Sequence, residues 1–254
     1  MQSPKLSENT WKTIKNQPVD LVVLPWGATE AHNYHLPYAT DNFQVEAISA
    51  ESAKQANIQG AHVVVLPTIP FGVNTGQSNI KLTINLNPST QTKILFDIAE
   101  SLNRQGIHKL LIMNGHGGND FKQIIREVNY HFPKMFICTS LWFKMPGQEK
   151  FFTMEGDHGD EAETSLMLYL NPELVLPLSE AGDGKSKKFR VDALNQNWAW
   201  AERQWTKVTS DTGIGNPKLS TKEKGKAFFE YLVEKYSNFM LELAKLNIEE
   251  DIYE

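Results

Sequence analysis

The run VDLVVLP, Val19–Pro25, decides how the rest of the chain is read. It is apolar with almost no alternation, the pattern of a strand covered on both faces. AHVVVLP (Ala61–Pro67), HKLLIMN (His108–Asn114) and MFICTSLW (Met135–Trp142) share that character. Longer stretches of helical pattern separate and follow them: NFQVEAISAESAKQAN (Asn42–Asn57), STQTKILFDIAESLNRQG (Ser89–Gly106), DFKQIIREVNYHF (Asp120–Phe132) and DEAETSLMLYL (Asp160–Leu170). A last helix begins near Thr221, where Phe229, Val233, Tyr236, Met240 and Leu243 recur every three or four positions as one apolar stripe. Strands alternating with helices predict an α/β fold, a three-layer α/β/α arrangement around a mostly parallel sheet, with residues 1–254 as one domain. In such sheets the ligand crevice lies at the carboxyl ends of the strands, so functional residues should follow the strands directly.

Composition narrows the function classes. The 254 residues are 41% hydrophobic and 22% charged, ordinary values for a globular protein. A formal charge of −5 argues against a nucleic-acid partner. The one dense basic cluster, GKSKKFR (Gly184–Arg190), follows acidic residues and reads as a solvated loop. No apolar run approaches the roughly 20 residues of a membrane span, and the N-terminus lacks a secretory h-region. The lone Cys138, inside an apolar strand, excludes an intramolecular disulfide and reads as a buried filler. A cytoplasmic location is expected.

Three polar segments fall where the fold predicts a crevice. After the first strand come Glu30, His32, His35 and Asp41; after the third comes NGHGGND (Asn114–Asp120); beyond the fourth comes EGDHGDEAETS (Glu155–Ser165). Four of the seven histidines lie in them. Carboxylate oxygen and imidazole nitrogen suit divalent cations at about 2.0–2.2 Å. Glu30 and His32, two apart in an extended loop, project to one side. Each segment also has a plain structural reading. Asp41 stands where a helix N-cap would, and Asp160 with Glu163 resembles a capping box. His116 sits among glycines that match no nucleotide-binding fingerprint. No G-x-S-x-G elbow supports a serine hydrolase. Metal-assisted hydrolysis remains, on Glu30, His32, Asp41, His116 and His158, with His35 as an orienting neighbour.

At these residues the chain resembles the creatininase (creatinine amidohydrolase) family. The family pattern P-x-G-A/S-x-E-x-H-G/N-x-H-L-P-x-x-T-D reads here PWGATEAHNYHLPYATD. NGHGGN is intact, HGDEAETS is close to H-A-G-E-x-E-T-S, and GIGNPKLSTKEKGKAF (Gly213–Phe228) matches the trailing block. The resemblance implies a creatininase-like fold and a metal-dependent amidohydrolase with two divalent ions per subunit, zinc first, manganese or iron otherwise. It implies a small-molecule substrate and a homo-oligomer, commonly a hexamer. Glu30, Asp41 and His116 would hold one ion; His32 and the bridging Asp41 would hold the other. In creatininase a glutamate two residues after the loop histidine completes the second site. That place is Gly118 here, and Glu163 is the candidate replacement, as ligand and catalytic group. His158 would serve as general acid. Gly117, Glu155 and Trp142 are expected to face the substrate.

The departures bear on the substrate. The family's Gly-x-Ser-x-Glu-His and F-P-G-T stretches are replaced by FGVNTGQSNIKLTINL (Phe71–Leu86), and Asp160 stands where glycine is expected. Creatinine itself is therefore in doubt, and a deformylase-like or modified-peptide hydrolase, or a catalytically retired scaffold, are the alternatives. Trp142, Trp198, Trp200 and Trp205 would form an aromatic gate by analogy with creatininase. For the last three, packing at a subunit interface is the simpler expectation.

Overall fold

The computed structural model describes residues 3–250 and 252–253. Four strands form the sheet: β1 Leu21–Trp26, β2 Val63–Val65, β3 Lys109–Asn114 and β4 Phe136–Leu141. Their order is β2-β1-β3-β4, and every neighbouring pair is parallel. Parallel pairing demands long crossovers, and helices supply them. The longer helices are α1 Thr40–Ile58, α2 Pro88–Arg104, α3 Lys122–His131, α4 Glu161–Leu170 and α5 Lys222–Lys245. Among the described residues no helix is long and apolar enough to cross a membrane.

Successive side chains of a strand point to opposite faces, and β1 shows the consequence. Leu21 and Val23 join a core with Val45 of α1, Leu166 of α4 and Phe228 of α5. Val22, Leu24 and Trp26 join a separate core with Leu95 and Ala99 of α2 and Ile124 and Val128 of α3. The unalternating apolar runs are explained by those two cores, one on each side of the sheet. Edge strand β2 is shorter than its apolar run. It pairs with β1 over three residues, Leu66 N–H still reaches the Val23 carbonyl at 2.9 Å, and Pro67 then has no N–H to continue.

Two features fix the ends of elements near the centre. Lys109, opening β3, donates its ammonium to the carbonyls of Leu243, Ala244 and Leu246 at 2.7–3.0 Å, tying the C-terminus of α5 to the sheet. At the other end of the strands, Trp26 of β1 lies in register with Asn114 of β3, and Gly115 N–H donates to the Trp26 carbonyl. A Cβ on Gly115 would lie 3.0 Å from the Asp41 carbonyl oxygen, so the absent side chain lets the first turn of α1 close over both strand ends.

Candidate metal centre

The loop leaving β1, the first turn of α1, the loop leaving β3 and the approach to α4 converge on one buried point. Glu30, His32, Asp41, His116, His158 and Glu163 are all buried there. Asp41, in the first turn of α1, makes no cap; the N-cap position is Ala39. Its carboxylate instead has Oδ1 2.9 Å from His32 Nε2 and Oδ2 3.1 Å from His116 Nδ1. Among the described residues three sets have donor atoms close enough to share a cation: Glu30, Asp41 and His116; His32, Asp41 and Glu163; and Glu30, His32 and His158. The last set places His158 within reach of a ligand role that the sequence reading did not give it.

The rings are oriented by the backbone. A carbonyl only accepts, so the imidazole nitrogen facing it carries the proton. His116 Nε2 donates to the Val73 carbonyl at 2.9 Å, His32 Nδ1 to the Glu30 carbonyl at 3.1 Å, and His158 Nε2 to the Ala31 carbonyl at 2.8 Å. Each ring then turns its other nitrogen, a lone pair when neutral, toward carboxylates. Glu30 Oε1 lies 2.8 Å from His116 Nδ1 and 3.9 Å from both His32 Nε2 and His158 Nδ1. Glu30 Oε1 and Asp41 Oδ2 are nevertheless buried without a hydrogen bond. Orphaned carboxylate oxygens facing imidazole lone pairs, with the far nitrogens tied to carbonyls, fit divalent cations of the zinc, manganese or iron type.

Protons and cations compete for those lone pairs. Burial works against charging His32, but Asp41 overrides it and pushes the ring up to about 10. Burial likewise opposes charge on His116, and Glu30 with Asp41 still raises it well above the ordinary value. His158 goes the other way: burial and the charge of His32 lower it to about 4. Burial also raises Glu163, to about 8.

The acidic segment before α4 divides its labour. Asp160 is the N-cap, its Oδ1 accepting from the N–H groups of Ala162 and Glu163 at 3.0 Å each. That explains aspartate where the family has glycine. Glu163 does not close a capping box onto Asp160; its Oε2 accepts from Gly159 N–H at 2.5 Å and lies 3.9 Å from His32 Nε2. Glu161, wholly buried, accepts from the N–H groups of Thr153 and Met154 and from Lys224. His35 donates or accepts through Nε2 with Thr164 Oγ1 at 2.8 Å, behind His32.

Two expected substrate contacts are corrected. Trp142 is buried in the core against Phe143 and Phe228, because the chain turns at the end of β4 and carries the indole under α5. Glu155 is exposed and lines no part of the cavity described below, its loop being drawn outward before Asp157 pairs with Arg203 at 2.6 Å. Gly117 faces the cavity, with open space where a Cβ would stand. At Gly118 a Cβ would lie 2.2 Å from the Val73 carbonyl and 2.5 Å from His116 Nε2, so this loop path excludes a side chain there.

A cavity of about 1040 Å³ opens above the centre. Its wall includes Gln77, which sequence reasoning missed, and two tryptophans for which interface packing was the simpler expectation. Gln77, buried in the altered segment after β2, donates its amide to Glu30 Oε2. Trp205 stands edge-on to His158, ring centroids 4.7 Å apart, with the Arg203 guanidinium over its face at 5.1 Å. Trp200 also lines the cavity, 85% exposed, whereas Trp198 does not reach it. Gln77 carried no signal beyond a polar loop; Trp205 was visible only as one of a tryptophan cluster.

These features agree with the comparisons to known proteins. The family model described as "Creatininase: Creatinine amidohydrolase" matches residues 7–240. A protein of Bacteroides fragilis NCTC 9343, provisionally assigned as a creatinine amidohydrolase, has the same fold at a TM-score of 0.91, with 42% identity over 98% of either chain. The creatinine amidohydrolase of Pseudomonas putida is 28% identical over 67% of this chain and 73% of its own. The mycofactocin precursor peptide peptidase of Mycobacterium tuberculosis strain H37Rv is 23% identical over 84% of this chain and 81% of its own. The chain belongs to the creatininase family.

Proposed function

We propose that this chain is a dinuclear metal-dependent amidohydrolase that cleaves a C–N bond of an amide-type small molecule. The observation that carries the proposal is the set of three buried imidazoles, each tied to a backbone carbonyl through one nitrogen and facing carboxylates with the other. Glu30, Asp41 and His116 would hold one cation, and His32, Asp41 and Glu163 the second, with Asp41 common to both sets. When bound, such a pair supplies hydroxide from water at neutral pH and polarises an amide oxygen.

The remaining roles belong to the chain itself. His158, lowered to about 4, is neutral at pH 7 with Nε2–H held by Ala31. Its Nδ1 is then free to take a proton as the nucleophile forms and return it to the departing nitrogen. That makes it a base first and an acid second. Trp205 against its ring limits the positions Nδ1 can occupy. Gly117 leaves room above His116 for the substrate. Gln77 holds Glu30 by one oxygen, leaving Oε1 for the centre.

A second reading, hydrolysis of a peptide or other extended amide on the same centre, is favoured by the cavity. At about 1040 Å³ it matches or exceeds the about 300–1,000 Å³ of sites that hold drug-sized ligands, and a cyclic amide would fill little of it. Its peptidase relative in M. tuberculosis supports the same reading. A cytoplasmic homo-oligomer remains part of the proposal. Elemental analysis of purified protein, followed by a screen of creatinine, formamides and short peptides with zinc or manganese added, tests both readings. Two ions per chain and turnover of one class are expected. Well under one ion per chain after re-metallation would leave a ligand-binding scaffold.

A further inference from the structure

We propose that Asn119 is a positioning residue: it holds residue 73, whose carbonyl fixes the ring of His116, and the backbone of His116 itself, and so helps set which nitrogen of that ring is offered to a cation. Asn119 is buried, and its Oδ1 accepts from Val73 N–H at 3.0 Å and from Gln91 Nε2 at 2.8 Å. A backbone N–H can only donate, so the oxygen is assigned without ambiguity. Its Nδ2 then faces Asn114 Oδ1 at 3.0 Å, and that same oxygen accepts from His116 N–H at 3.0 Å. The Asn119 amide thus grips two things at once: residue 73 of the neighbouring loop, and the backbone of His116 by way of Asn114.

Val73 completes the circuit. Its N–H is bound to Asn119, and its carbonyl receives His116 Nε2–H at 2.9 Å. The Val73 carbonyl lies in the following peptide, whose own N–H, that of Asn74, donates to Asn85 Oδ1 at 2.8 Å, so residue 73 is held on both sides. The adjacent Gly72 packs tightly in the same place. A Cβ on Gly72 would lie 2.7 Å from His116 Cδ2 and 2.9 Å from Asn119 Oδ1, so backbone packs directly on both side chains. The result is a chain of contacts, Gln91 to Asn119 to Val73 to His116, ending on Nδ1 beside Glu30 and Asp41. Outer partners of this kind orient ligands and set their tautomer.

The inference rests on the metal centre proposed above, and zinc alone serves as the probe. Zinc affinity of the full chain is measured by competition with a chromogenic chelator, and the protonated nitrogen of His116 is read by ¹⁵N NMR. Asn119→Ala is expected to weaken zinc binding by about 10–100-fold, while Gln91→Leu, which leaves the Val73 bond intact, stays within about threefold. In the zinc-loaded wild type His116 is expected to keep its proton on Nε2 alone, and in zinc-loaded Asn119→Ala the ring is expected as a mixture. Unchanged zinc affinity or an unchanged tautomer in Asn119→Ala overturns the positioning role. Should that variant fail to fold, Asn119→Ser, which cannot reach Val73, carries the same expectations. A wild-type chain that takes up no zinc overturns the metal centre together with this inference; a wild type that binds zinc beside an indifferent Asn119→Ala overturns the inference alone.

Discussion

The loop from Glu30 to Asp41 and the loop from Glu155 to Glu163 have similar compositions, carboxylates crowded around histidine before a helix, yet the fold uses them differently. In the first, Glu30, His32 and Asp41 all turn inward and share one buried point. In the second, Asp160 caps a helix, Glu161 anchors the chain at Thr153 and Met154, Asp157 pairs with Arg203, and only His158 and Glu163 reach that point. The difference follows from where each helix starts. Helix α1 begins against two strand ends, where Gly115 lets it close, and Asp41 is spared from capping. Helix α4 starts from its N-cap Asp160, whose carboxylate is taken up by the helix's free N–H groups, while Glu161 is taken up by the incoming loop.

Asp41→Asn gives the largest break in that comparison. It removes the carboxylate shared by two candidate ligand sets, so metal content should fall below one ion per chain, a loss beyond the about 10–100-fold typical of an outer partner. Retention of two ions would remove Asp41 as the bridge. His158→Ala should come next: metal content is kept, and turnover falls by about 10²–10⁴-fold, the usual share of a positioned acid–base group. Wild-type-like turnover would take His158 out of the chemistry, and loss of metal would move it among the ligands.

Chelated protein should show the two loops through pH. The His32 imidazole, raised to about 10, stabilises the fold fully below its ordinary value of 6.5 and loses that contribution as pH climbs through 10. Glu163, raised to about 8 from 4.5, binds its proton more tightly when folded, so its contribution also disappears with rising pH. Asp41 and Glu30, held below their ordinary values, contribute fully across this range and lose that contribution only in acid. Thermal melts of metal-free protein should therefore weaken from about pH 6 to pH 10, while added zinc, competing with those protons, stabilises most at the alkaline end. A melting temperature flat across that range would contradict the charge assignments. The smallest effect belongs to the second loop: Asp160→Ala should cost about 0.5–2 kcal/mol as a lost cap, and Glu155→Gln should stay within about 0.5 kcal/mol. Denaturant melts distinguish the two, and a loss of bound metal in Glu155→Gln would restore it to the site.

Much of this was legible in the chain, and the exceptions have physical causes. The strands were readable because each is buried on both faces, so Val22 and Val23 had to be apolar for different cores. The convergence of Glu30, His32, Asp41 and His116 was readable because a strand end brings polar residues to the crevice at short range. Trp142 was misplaced because its partner Phe228 lies in α5, a contact that no local pattern reveals. Gln77 was missed because an amide in a polar loop looks the same whether it meets water or Glu30.

Gly118 constrains how this centre can change over time. The Val73 carbonyl occupies the space a side chain at 118 would need, and that carbonyl is already committed to His116. A glutamate restored at this position by one substitution would evict the group that orients the neighbouring ligand. A glutamate at 118 therefore requires a different path for the 71–77 loop, and a lineage or an engineer that alters one without the other arrives at a chain with an added carboxylate and a misaligned histidine.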